Sequence, residues 1–419
     1  VSLAIHDALL LDGRTASVYV EDDRITEIGR AREADVTIDG RGMVLLPGLV
    51  NTHTHGAMTL LRGYADDMEL HDWLTEKVWP VEGRITPDAI YWGTKLACLE
   101  MIKTGTTCFN DMYFHMDRAA QAVDEMGMRA YLSEGFIDLL DATRGETLLK
   151  ENEAIMAKIA AIGSKRVVPA VGPHAIYTVS KESLRALKDL ADARGCLYHI
   201  HVSETKQEIE EAKDDHGKTP VQYLESLGVL GPNVVAAHSV WLDDAEIRTF
   251  SQRGVKVAHC PVSNMKLGVA RAMPLEPMRT AGVTVSLGTD GAASNNSLDM
   301  FQTMKTAALL HKFATGEPTV AAAREVFDLA TLGGARALGL DAGEIAEGKL
   351  ADMILLDIRR PEMTPTHSLV SNAVYAATGD CVDTVICDGR VLMEHRKVLG
   401  ESAILDRASK VAADLVRGM

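Results

Sequence analysis

Between residues 44 and 290, short apolar runs alternate with longer stretches whose apolar residues are spaced as on one face of a helix. Eight such runs occur, at 44–55, 106–111, 129–135, 167–174, 197–204, 234–240, 255–261 and 283–290. Of the stretches between them, 181–194 is typical: Leu184, Leu187, Leu190 and Ala191 share one helical face, so this segment is expected to lie on the outside of a sheet. Strand then helix, repeated eight times, predicts an α/β protein built on a (β/α)8 TIM barrel, a fold that needs about 250 residues.

The two ends of the chain have a different texture. Runs at 3–11, 16–28 and 36–46 are punctuated by Gly13, Asp22-Asp23 and Asp39-Gly40, the residues of tight turns. Similar runs return at 351–358 and 384–398, with Asp388-Gly389 as a hairpin signal. Because chain ends commonly lie close together, residues 1–46 and 348–419 are expected to form one composite β-sandwich domain with a C-terminal helix. Residues 47–347 are left for the barrel.

Composition narrows the range of partners. The chain has 419 residues, 47% of them hydrophobic and 24% charged, as in an ordinary globular protein with a sizeable core. Its formal net charge of -16 opposes nucleic-acid binding, which needs a concentrated basic surface. The six cysteines show no C-x-x-C spacing and read as reduced, buried thiols. No apolar run reaches the roughly 18 residues of a membrane span. A cytoplasmic homo-oligomer acting on a small molecule is expected.

The chemistry concentrates where barrel strands should end. In His53-Thr54-His55 the alternation of a strand sends both imidazoles to one face. The fifth run ends in His199-Ile200-His201-Val202-Ser203-Glu204, the sixth carries His238, and the eighth stops at Asp290. A single buried histidine is most simply a hydrogen-bonded structural residue. Several histidines and an aspartate at the ends of separate strands are costly to desolvate unless paired or metal-bound, which favours a metal site.

These residues carry a resemblance to the amidohydrolase superfamily: PGLVNTHTH at 47–55, HVSET at 201–205, AAHSV at 236–240, HCPVSN at 259–264, SLGTDGAASNNSLDM at 286–300 and EGKLADMILLD at 347–357. The resemblance implies that His53, His55, His201 and Asp290 hold one divalent ion, usually Zn2+, sometimes Fe2+ or Mn2+, with His238 beside the water on that ion. Binuclear relatives place a carboxylated lysine at the end of the fourth strand. The run 167–174 contains no lysine, which points to a single ion.

A divalent ion lowers the pKa of its water to about 7. Asp290 is then placed to accept the water proton, Glu204 to protonate the ring nitrogen beside the attacked carbon, and His238 to hold the attacking oxygen. The zinc deaminases of the other fold pair H-x-E with P-C-x-x-C, which is absent here, so the chemistry would be convergent with theirs.

Within the superfamily, LLRGYADDMELHDWLTEKVWPVEGRIT at 60–86 and GPHAIYT at 172–178 resemble deaminases of S-adenosylhomocysteine, 5'-methylthioadenosine and 5'-deoxyadenosine. That resemblance implies Glu82 as acceptor of the ribose hydroxyls and His174 as a substrate contact, with Arg144 in a variable loop as a third. Trp73 and Trp79 read as core or lid packing, and His71 and His115 receive no role. Two alternatives stand beside the nucleoside reading. One is hydrolysis of another heteroaromatic ring, as in guanine deaminases or triazine hydrolases, without a ribose clamp. The other is a non-catalytic scaffold, which should have lost its ligands and would bind no metal.

Overall fold

The computed structural model describes residues 1–68 and 72–418. Eight parallel strands, Leu49–Thr54, Thr106–Tyr113, Arg129–Phe136, Val167–Pro173, Tyr198–Val202, Val234–His238, Lys256–His259 and Thr284–Leu287, pair in chain order. The ring closes between the last and the first. The Asp290 amide donates to the His53 carbonyl (3.0 Å), Thr52 Oγ1 donates to the Leu287 carbonyl (2.9 Å), and the Asn51 side chain accepts from the Thr289 amide (3.0 Å). The TIM barrel expected from the eight apolar runs is therefore present.

The connecting helices cover the ring. Lys181–Arg194 starts at its Ser180 cap and ends at Gly195, whose φ of 62° only glycine adopts without strain; Leu184, Leu187 and Ala191 are its buried face. Pro87–Lys103 is capped by Thr86 and carries the C-terminal helix Glu401–Leu415 against its outer side, where Lys103 pairs with Glu401 at 2.8 Å.

The chain ends build a second, separate sheet. Its order is Arg390–Met393, Val382–Cys387, Met353–Asp357, Met43–Pro47, Ser2–Leu9, Thr15–Glu21 and Arg24–Gly29, with Val36–Asp39 also pairing with Ser2–Leu9. Alternate residues such as Leu3, Ile5, Val18, Val20, Leu45, Met353 and Leu355 form a core of their own. The hairpin signal Asp388-Gly389 (φ 55° and 71°) lies in a turn between paired Cys387 and Arg390, and the turn residue Asp22 (φ 54°) lies between paired Glu21 and Arg24.

The first apolar run differs from its expected form. It is two strands, Met43–Pro47 in the terminal sheet and Leu49–Thr54 in the barrel, and the chain changes sheets at Gly48. A Cβ there would lie 2.3 Å from Thr107 Oγ1, so the crossing depends on the missing side chain. No described helix is long and apolar enough to cross a membrane.

Candidate active site

The barrel strands end in left-handed backbone at several functional positions: Ser203 (φ 53°), His238 (67°), Ser239 (51°) and Asp290 (62°). Non-glycine residues adopt this region uncommonly, and from two of these turns His238 and Asp290 reach the barrel mouth. A pocket opens there, lined by His55, Glu82, His174, His201, Glu204, His238 and Asp290 among others. His53 lies directly beneath, fully buried.

His53 Nε2 and His55 Nε2 lie 3.2 and 3.1 Å from Asp290 Oδ1, and His201 Nε2 lies 3.4 Å from His55 Nε2. The opposite ring nitrogens are engaged elsewhere. His55 Nδ1–H donates to the Met112 carbonyl (2.6 Å) and His201 Nδ1–H to the His174 carbonyl (2.8 Å), while His53 Nδ1 meets His199 Nε2 at 2.7 Å. Carbonyls accept only, so His55 and His201 carry their neutral-state proton on Nδ1 and turn the Nε2 lone pair inward. The carboxylate is oriented the same way: the Ser263 and Ser294 hydroxyls donate to Asp290 Oδ2 at 2.6 and 2.7 Å, leaving Oδ1 to face the imidazoles.

This donor set fits a divalent metal ion. His53 Nε2 is buried without a hydrogen-bond partner, and His53, His55 and Asp290 offer atoms close enough to share one ion, as do His53, His201 and His238. Three imidazole nitrogens and one carboxylate oxygen suit zinc, iron or manganese.

The remaining groups differ in environment. Burial lowers His53 to about 4 against the pull of Asp290, and burial lowers His174 to about 3. Burial pushes the Glu204 carboxyl up, with His238 opposing. The Glu204 carboxylate lies 3.7 Å from His238 Nδ1, which also meets Asn264 Oδ1 at 2.9 Å. Glu82 closes the short helix Trp79–Glu82 and is half-buried; burial raises its pKa, while the Tyr113 hydroxyl and His55 draw it down. His174 engages Thr178 through Nδ1 (2.8 Å), leaving Nε2 for the pocket.

Arg144 is not in this pocket. It is exposed near the start of the helix Ala142–Ala161 and lines an adjoining groove that also includes Glu82, Trp79 and His115. Trp73 is buried and donates to the Ala65 carbonyl at 3.0 Å, whereas Trp79 is half-exposed at the pocket wall. His71 lies outside the described residues. Sequence reasoning assigned no role to His199, Ser263, Asn264 and Ser294. His199 shares a strand face with His201 by the alternation that linked His53 to His55; the other three sit inside quoted motifs with nothing in their spacing to show what they touch.

With this geometry established, the sequence profile of the amidohydrolase family matches residues 44–392, and the chain belongs to that family. A 5'-deoxyadenosine deaminase of Methanoregula boonei is 51% identical over 402 residues, covering 94% of this chain and 91% of its own. A 5-methylthioadenosine/S-adenosylhomocysteine deaminase 1 of Archaeoglobus fulgidus is 49% identical, covering 95% of both chains. Among solved structures, an adenosine deaminase from Xanthomonas campestris with bound zinc superposes with a TM-score of 0.92 at 34% identity, over 99% of this chain and 98% of that one.

Proposed function

We infer that the protein is a hydrolase that removes the amino group of adenosine-type nucleosides, including adenosine, 5'-deoxyadenosine, 5'-methylthioadenosine and S-adenosylhomocysteine, giving the inosine analogue and ammonia. The observation that carries this reading is one pocket presenting the His55, His201 and Asp290 cluster, Glu204 and Glu82 together. Relatives named as deaminases of these nucleosides support it.

We assign His53, His55, His201 and Asp290 to hold a single divalent ion, Zn2+ first, with Fe2+ or Mn2+ suited to the same donors. Bound there, it supplies the Lewis acidity that brings the pKa of water towards about 7. The Asp290 carboxylate, fixed by Ser263 and Ser294, takes the proton given up as water adds to C6 of the purine. Glu204 is kept protonated to higher pH than a solvent-exposed carboxyl and donates its proton to N1, so that negative charge does not build up on the ring. His238 holds the incoming oxygen by a hydrogen bond. A proton then passes to the amino group, the C6–N bond breaks, ammonia leaves and the C6 carbonyl remains.

Glu82 accepts hydrogen bonds from the ribose hydroxyls, His174 contacts the substrate through Nε2, and Arg144 faces the groove beside the ribose site. The test is an assay of metal-loaded protein on the four nucleosides, following loss of adenine absorbance and release of ammonia. Turnover is expected on at least one. No turnover on any, with turnover of guanine or a triazine instead, would replace the nucleoside reading with that of a general heteroaromatic hydrolase. Asp290→Ala should lower metal content, measured by elemental analysis; a full complement of metal in this variant contradicts the ligand set.

A further inference from the structure

Glu208 is a buried acid that this reaction does not use and that is joined directly to its machinery. It sits in the first turn of the helix Lys206–His216, whose cap is Thr205; Thr205 Oγ1 accepts from the Glu208 amide at 3.1 Å. An acid at this position ordinarily reaches back to the amide of the cap residue or simply faces the positive end of the helix. Glu208 instead reaches past its own helix. Its Oε1 accepts from the Ser203 amide at 3.0 Å and its Oε2 from the Glu204 amide at 2.7 Å, and the residue is 4% exposed.

The segment it holds requires holding. Ser203 has a φ of 53°, a conformation that costs a side-chain-bearing residue energy unless its surroundings enforce it. On the other side of the same residue, the Ser203 carbonyl accepts from the Val240 amide (3.0 Å) and the Trp241 amide (2.9 Å), in the loop that follows His238. Four hydrogen bonds thus fix the turn between His201 and Glu204 and tie it to the strand end carrying His238, 3.7 Å from the Glu204 carboxylate.

We propose that Glu208 is a positioning residue whose two carboxylate oxygens hold the Ser203 and Glu204 amides so that the Glu204 carboxyl is aimed at the substrate ring, and that it acts on the rate only through Glu204. This rests on the reading of Glu204 as proton donor. A glutamine cannot replace it, because one of its two terminal atoms is an N–H donor that would face a backbone N–H. The loss falls on alignment of the proton donor, which belongs to kcat rather than to substrate binding.

The experiment is a double-mutant cycle of wild type, Glu208→Gln, Glu204→Gln and the double variant, with kcat and KM for 5'-deoxyadenosine, metal content and thermal unfolding measured for each. Glu208→Gln should lower kcat about 10-fold with KM little changed and metal retained, the scale of one lost hydrogen bond to a charged group. In the Glu204→Gln background the same change should leave kcat where it is. Thr219→Ala, which removes the cap of the separate helix Pro220–Ser226 and whose hydroxyl bonds to Gln222 and Glu246 rather than to the clamp, should lower the unfolding temperature and leave kcat unchanged. Should Glu208→Gln fail to fold, Glu208→Asp takes its place, keeping the charge but one methylene too short for both amides. A wild-type kcat for the Glu208 variant, equal losses in both backgrounds, or a matching kcat loss in Thr219→Ala would each overturn the proposal. A large loss from Glu204→Gln alone beside an unaffected Glu208 variant overturns this proposal and leaves the deaminase reading standing; a harmless Glu204→Gln overturns the role of Glu204 as well.

Discussion

Glu82 and Glu204 are two carboxyls in one pocket, and both are pushed by burial towards the protonated form. What separates them is their company. Glu204 sits beside His238 and near Asp290, where a proton can be passed on, whereas Glu82 sits by the Tyr113 hydroxyl; in both the upward shift is opposed, by His238 and His55 for Glu204 and by Tyr113 and His55 for Glu82. A ribose presents two neighbouring hydroxyls, which a charged carboxylate binds better than a neutral one. Removing the carboxylate in Glu82→Ala should therefore lower kcat/KM for adenosine derivatives by about 10- to 100-fold, the worth of hydrogen bonds to a charged group. Loss of the 2'-hydroxyl should matter less to this variant than to wild type, because the partner has already gone. Adenosine and 2'-deoxyadenosine measured on both proteins decide it: losses that simply multiply exclude Glu82 as the clamp. At this scale, the gathering of His53, His55, His201, Glu204 and Asp290 at one end of the barrel was legible because several polar residues recurring at the ends of separate apolar runs are costly to desolvate unless they meet a partner. Ser263 and Asn264 were not, since they meet Asp290 and His238 only when neighbouring strands pair, and Ser294, four residues after Asp290, turns back to it only through the shape of the loop. Glu208 escaped notice because an acid in a first helical turn needs no further reason to be there.

Elements were easier to read than their ends. The eight apolar runs mark the eight barrel strands because parallel strands covered on both faces must be apolar throughout, and such runs have no alternation to confuse them with edge strands. The same property blurs the break in the first run, although the division drawn between residues 46 and 47 falls beside it. Val44, Leu45, Leu46, Leu49 and Val50 are buried alike, so the sequence carries no change of pattern where the chain leaves one sheet for the other. Only Pro47-Gly48 marks the place, and its meaning is steric: the Gly48 amide donates to the Asp352 carbonyl at 2.9 Å on one side while Thr107 closes in on the other. Gly48→Ala should accordingly destabilise the fold by about 1–3 kcal/mol, the usual cost of overpacking a filled site, because Thr107 is itself fully buried and has nowhere to retreat. Denaturant unfolding measures this. A midpoint equal to wild type would mean that the two sheets can separate at the crossing without penalty.

The whole molecule is two sheets joined by apolar packing, since one face of the terminal sheet has a core of its own while Val44, Leu46, Ile354, Leu356, Val382 and Val385 on its strands belong to the core of the barrel, and polar joints add to that packing. One such joint lies at the end of the barrel opposite the pocket. Arg129, at the start of the third barrel strand, donates to Asp352 Oδ2 at 3.0 Å and to Asp388 Oδ1 at 2.8 Å, and Arg166 approaches Asp388 Oδ2 at 3.6 Å; both aspartates belong to the terminal segments. Arg129 is 5% exposed and Asp352 4%, so their charges have been taken out of water and each depends on the other. Removing one partner from such a pair leaves a buried charge uncompensated and costs about 3–5 kcal/mol, far more than loss of an exposed ion pair. Asp352 also accepts the Asp388 amide at 2.7 Å, fixing the turn of the last hairpin. Asp352→Ala should therefore lower the thermal unfolding temperature clearly, with Asp352→Asn intermediate because it keeps the shape and part of the hydrogen bonding. Below the transition kcat should match wild type, since the groups proposed to act on the substrate stand at the other end of the strands and are fixed by their own contacts. Circular dichroism on heating and turnover at 25 °C test the two halves separately. An unchanged unfolding temperature would show that the ion network contributes nothing to joining the sheets; an unchanged temperature with reduced turnover would mean that the terminal sheet acts on the site by some other route.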